Sequence, residues 1–179
     1  MSTLVLLLRG INVGKSTRVP MADLREVLTN LGCTSVTTLL NSGNAVVKVK
    51  RTTPTAFGAR ATKALAQKFG WQIPVVTRSA EEFRAIADAN PFASECKDDS
   101  KLLIVFAETV SLLSSLKPSC SSGEKFALAD TAGYLLCSGP LLESVAAKSL
   151  LSHSGQAITT RNWATVKKIR CLLDQDDLQ

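Results

Sequence analysis

Histidine is nearly absent from this chain: His153 is the only one in 179 residues. The five cysteines, Cys33, Cys96, Cys120, Cys137 and Cys171, are scattered, and no two stand at the spacing of a zinc site. These gaps argue against a zinc finger, a dithiol redox motif and a disulfide framework, so buried or inert thiols and no metal or cofactor are expected. Long apolar runs are missing too. The first, Leu4–Leu8, falls far short of the ~18 residues a membrane span needs, and no basic segment precedes it. No membrane association and a cytoplasmic location are therefore expected. Aromatic residues make up 5% of the chain, and the strand-like runs Leu4–Leu8 and Ala45–Val49 carry none. A sheet that stacks RNA bases on its central strands is unlike this pattern.

Acidic residues are scarce in one half only. Residues 1–78 hold eleven Lys/Arg and two acids, Asp23 and Glu26, a net charge of +9. Residues 79–179 hold ten Lys/Arg and thirteen acids, a net charge of −3. The basic excess of the whole chain, +6, thus belongs to its first half. A domain of that sign attracts phosphates, nucleic acid or an acidic partner.

What is present is a repeated order of elements. Leu4–Leu8 has strand length, and Arg9–Val19 is a polar loop. Pro20 suits the first turn of a helix whose apolar positions Met21, Leu24, Val27, Leu28 and Leu31 recur with helical period up to Gly32. Ser35–Leu40 and Ala45–Val49 flank Asn41-Ser42-Gly43-Asn44, a hairpin signature. A helix over Ala56–Phe69 follows, then a strand over Gln72–Thr77. Ser79 and Glu82 form a capping box for a third helix.

After the loop 91–100 the order restarts: strands over Lys101–Ala107, Lys125–Ala129, Tyr134–Cys137 and Ala157–Thr160, with helices over Thr109–Leu116, Leu141–Leu151 and Asn162–Leu173. The acidic stretch Asp174–Asp177 is expected to fray. Val76-Thr77-Arg78-Ser79 is echoed by Thr159-Thr160-Arg161-Asn162. The expected fold is α+β: an internal duplication of a β-α-β-β-α-β, ferredoxin-like unit with an extra helix per half. The first subdomain, basic, is placed at residues 1–92 and the second at 93–179.

Three segments carry a family resemblance. They are Leu7-Leu8-Arg9-Gly10-Ile11-Asn12-Val13-Gly14 with Arg18-Val19-Pro20-Met21, then Ser42-Gly43-Asn44, then Thr159-Thr160-Arg161-Asn162-Trp163 with Thr165, Val166 and Lys168. This set resembles the bacterial domain of unknown function 1697 family across nearly the whole chain. The resemblance implies a duplicated α+β fold and no particular activity. Lys15 stands where the family usually has a second glycine, and Asn41 where it usually has glutamine.

Gly10–Ser16 imitates a phosphate-binding P-loop, but three residues separate Gly10 from Gly14, whereas the P-loop places four between Gly and Gly-Lys. The helix also starts at Pro20, well after Lys15, so nucleoside triphosphate hydrolysis is not expected. Glycines flanked by Arg9, Lys15 and Arg18 still suit an anion, because backbone N–H groups can converge there. Arg161 and Asn162 stand at a helix N-terminus, which favours an anion as well; Asn162 also suits a plain N-cap.

The candidate anion site is Arg9, Asn12, Lys15, Arg18, Asn44, Arg161 and Asn162, with the loops of the two halves expected on one side of the molecule. No catalytic set stands out, and His153 reads as a surface residue. Whether the chain is an enzyme stays open. The leading function is a non-catalytic module for an anionic ligand, with nucleic acid or a phosphorylated small molecule as partner. The alternatives are an enzyme acting on a small phosphorylated or carboxylated metabolite, and a protein-binding scaffold or regulator.

Overall fold

The computed structural model describes residues 1–14, 16–152 and 158–176. The chain divides into two compact units, Met1–Phe83 and Arg84–Gln179.

The first unit runs β1 (Ser2–Leu8), α1 (Met21–Asn30), β2 (Cys33–Leu39), β3 (Asn44–Val49), α2 (Pro54–Phe69) and β4 (Val75–Ser79), and ends inside α3 (Ala80–Asp88). Its sheet has the order β2-β3-β1-β4, antiparallel at every pairing. One face carries Leu4, Leu6, Leu8, Ala45, Val47 and Val49, and both helices pack on it. Leu24, Val27 and Leu28 come from α1, and Phe57, Ala61 and Leu65 from α2. Each fully buried side chain of this size contributes about 1.5–3 kcal/mol. The alternate residues Val5 and Leu7 are buried as well, so β1 reads as a continuous apolar run without polar alternation.

The second unit continues from Arg84 through a 3-10 turn (Asp99–Lys101) to β5 (Leu102–Ala107), α4 (Val110–Ser114), β6 (Lys125–Leu128), β7 (Gly133–Leu136), α5 (Val145–Leu151), β8 (Ile158–Asn162) and α6 (Trp163–Asp176). Its sheet has the order β6-β7-β5-β8, again all antiparallel. Leu103, Val105, Ala107 and Leu135 meet Leu113 of α4 and Ala146, Ala147 and Leu150 of α5. The end of α3 is tied to α6: Arg84 Nη2 donates to Leu173 O at 2.8 Å, and Arg84 and Arg170 pair with Asp174 and Asp88. Tyr134 O–H donates to Ile86 O at 2.8 Å.

The fold is therefore mixed α and β, with two four-stranded antiparallel sheets and six helices among the described residues. Several boundaries differ from the sequence pattern, each for a local reason. β4 begins at Val75, after Pro74, which has no N–H to give to a ladder. α5 begins at Val145 because Ser144 caps it, its Oγ accepting from Ala147 N at 2.9 Å. Of the acidic stretch expected to fray, Asp174–Asp176 continue α6, with Asp174 paired to Arg84, and Asp177 lies outside the described residues. The Ser79–Glu82 capping box forms reciprocally, at 3.0 and 2.8 Å.

Candidate functional site

The most built-up polar feature of the first unit is the β1–α1 connection, residues 9–20. It leaves the sheet where Leu8 N donates to Gly43 O and Arg9 N to Pro74 O. Three of its residues have left-handed backbone: Gly10 (φ 70°), Asn12 (φ 56°) and Gly14 (φ 73°). Asparagine pays less for that conformation than most residues, and here its side chain is fully used. Asn12 Oδ1 accepts from Val19 N at 2.9 Å, while Nδ2 donates to Val19 O at 3.1 Å and to Asn41 O at 2.6 Å. Asn12 N donates to Thr17 O, and Thr17 Oγ1 bridges to Val13. Buried Ile11 and Val19 anchor the loop in the core.

The hairpin that Asn12 grips is itself close-packed. Gly43 has φ 80°, and a Cβ there would lie 2.7 Å from Leu8 Cβ and 2.8 Å from Ile11 Cδ1. Leu40 has φ 58° although it is neither glycine nor asparagine. Asn44 is fully buried, and its Nδ2 donates to Leu39 O and Ser42 Oγ.

Between the connection and the hairpin lies a cleft of about 680 Å³, lined by Asn12, Gly14, Arg18, Val19, Pro20, Met21 and Asn41. That volume falls in the range of small-molecule sites. Arg18 and Asn41 are exposed, and among the described residues neither side chain has a hydrogen-bond partner. The start of α1 opens here as well. Pro20 occupies its N-cap and supplies no side-chain bond, so the first-turn amides keep their donors. The other helices are capped by side chains: Thr53 for α2, Ser79 for α3, Thr109 for α4, Ser144 for α5 and Asn162 for α6.

Of the residues singled out in the sequence, Asn12 and Arg18 line this cleft together. Lys15 and His153 lie outside the described residues. Arg9 is half-buried, and burial lowers its guanidinium pKa. Asn44 sits inside the hairpin. Arg161 and Asn162 belong to β8 of the second unit. Arg161 is buried; its Nη1 donates to Thr159 Oγ1 at 2.8 Å and Thr160 O at 2.7 Å, and burial pushes its pKa down to about 10. Asn162 Oδ1 accepts from Thr165 N at 3.0 Å and Thr165 Oγ1 at 2.7 Å, so it is engaged as the cap of α6. Arg78 repeats the arrangement on β4, donating from Nη1 to Thr77 O at 2.9 Å. Sequence reasoning set Asn41 and Met21 outside the site. The readable signal was Pro20 at a helix start with no Ser, Thr, Asp or Asn beside it.

Among the described residues no group of three or more His, Cys, Asp or Glu is placed to hold a metal ion, and no helix is long and apolar enough to cross a membrane. Fold and site together define an α+β protein of two antiparallel sheets with a polar, cation-bearing cleft at the first strand-to-helix connection. The chain belongs to the family described as "Protein of unknown function (DUF1697)", whose model matches residues 1–134. Among solved structures it is similar to the conserved bacterial protein SP0830 from Streptococcus pneumoniae. That likeness has 26% identity and a TM-score of 0.69, and it covers 96% of this chain and 98% of the other. No curated protein matches.

Proposed function

We propose that this chain is a non-catalytic module that binds an anionic ligand in the β1–α1 cleft of its first unit. The observation that carries the reading is the cleft itself. It joins the Arg18 guanidinium and the Asn41 side-chain amide, neither of them bonded to any described residue, and the one helix start that no described side chain caps. Cations and free N–H groups converging on one space favour negative charge. The net charge of +9 over residues 1–78 adds long-range attraction. The described residues that line the cleft include no carboxylate, imidazole, thiol or hydroxyl, which supports binding over catalysis. The partner is a phosphorylated small molecule or nucleic acid.

The same reading treats the two units as copies of one ferredoxin-like β-α-β-β-α-β design. Identical strand order supports it, as does the shared strand ending in which Arg78 and Arg161 each bond the preceding carbonyl and the next residue caps a helix. Only the first copy has an elaborated first connection, so the binding role is placed there.

Thermal unfolding with inorganic pyrophosphate tests the function. A ligand that binds only the native state at 100 times its Kd stabilises by about 2.7 kcal/mol. The native chain is expected to gain stability, less so at high salt. Arg18→Gln is expected to lose most of that gain. Equal stabilisation of both proteins, or none of either, overturns the proposal.

A further inference from the structure

The cleft holds more than an anion needs. Its polar side chains sit with Arg18 and Asn41, whereas Pro20 and Met21, at the start of α1, give it apolar surface. Its volume of about 680 Å³ suits a whole metabolite rather than a single inorganic ion.

The opposite feature limits the size of the ligand. A nucleic-acid strand needs a track of cations and, in most such grooves, aromatic platforms for its bases. Among the described lining residues Arg18 is the one cation, and none is aromatic.

We infer that the ligand is a phosphate monoester whose uncharged body presents an apolar face, as the base of a mononucleotide does; this rests on the anion-binding reading above. The phosphate lies against Arg18 and the first-turn amides of α1. The body lies along Pro20 and Met21, whose flexible thioether adapts to flat or irregular groups.

Calorimetric titration of the whole chain with adenosine monophosphate, inorganic phosphate, ribose 5-phosphate and a deoxythymidine decamer tests this. Adenosine monophosphate is expected to bind at least about tenfold more tightly than either smaller phosphate, the worth of burying a few apolar groups. Met21→Ser should remove that advantage and bring adenosine monophosphate down to the affinity of ribose 5-phosphate. Arg18→Gln should weaken adenosine monophosphate and phosphate alike by about tenfold or more. Circular dichroism checks that both variants fold. If the three phosphates bind equally and all depend on Arg18, the inference fails while the anion-binding function stands. If the decamer binds much more tightly than adenosine monophosphate, the inference fails in favour of nucleic acid. If nothing binds, both fall.

Discussion

The two units share a strand order and a way of ending the fourth strand, yet they make their first connection differently. In the second unit β5 reaches α4 through Glu108 and Thr109 alone, and Thr109 Oγ1 accepts from Leu112 N to cap the helix. In the first unit β1 reaches α1 through residues 9–20, with three left-handed residues and an asparagine clamp. The side-chain cap is missing there. The sheet order does not require the longer path, since the second unit is built without it. Extra ordered backbone costs conformational entropy, and long ordered loops in compact domains usually carry function. The contrast therefore separates what the fold demands from what the first unit adds.

The hairpins give the sharpest way to test that difference. Gly43→Ala puts a Cβ 2.7 Å from Leu8 Cβ at a left-handed position. It should cost about 3–4 kcal/mol in unfolding free energy, from overpacking plus backbone strain. The exposed turn residue Thr131 of the second unit should tolerate Ala within about 0.5 kcal/mol. Denaturant unfolding of both variants reads the comparison, and equal losses would break it.

Next in size are the two connections. Asn12→Ala removes three side-chain hydrogen bonds and puts alanine at φ 56°, so it should cost about 2–4 kcal/mol. Thr109→Ala removes one cap and should cost about 1 kcal/mol. A larger loss at Thr109 than at Asn12 would show that the long connection is loosely held.

Tyr134, the single tyrosine, makes the second unit visible on its own. Burial raises its phenol from 10.0 to about 12. An acid whose folded pKa is raised stabilises the native state fully below the unfolded pKa. That contribution is lost as pH climbs from about 10 to about 12, roughly 2–3 kcal/mol in all. Tyrosinate absorbance of the native chain should stay low at pH 11. Full ionisation near pH 10 with the chain still folded would contradict the buried bond to Ile86 O.

The smallest effect concerns Leu40. A left-handed leucine costs about 1–2 kcal/mol, and glycine there gives back part of the gain through its freer unfolded state. Leu40→Gly should raise unfolding free energy by about 0.5–1 kcal/mol. A loss of stability would mean that this side chain packs more than its exposure indicates.

Much of the fold was legible because its signals are local. The helical period from Met21 to Leu31, the Gly43 hairpin and the Ser79–Glu82 box each act within a few residues, and each appears in the structure. Boundaries slipped where a single atom decides them, as at Pro74 and Ser144. The site was harder to read. Arg18 and Asn12 were visible as polar loop residues, but the sequence does not show that Asn12 spends its whole amide on Val19 and Asn41. Nor does it reveal that Asn44 is buried inside its hairpin, or that Arg161 is buried against its own strand. The Asn12–Asn41 bond and the cleft that joins Met21 to Asn41 depend on contacts between residues distant in the chain, whereas Asn44 and Arg161 bond to near neighbours in sequence and owe their burial to the packing around them.

The most direct test is an amide-resolved NMR titration of the whole chain with adenosine monophosphate, following both first connections at once. The account predicts saturable shifts at Gly14, Arg18, Met21, Ala22 and Asn41, with Thr109–Leu113 unmoved. Shifts centred on the second connection, or none at the first, would contradict it.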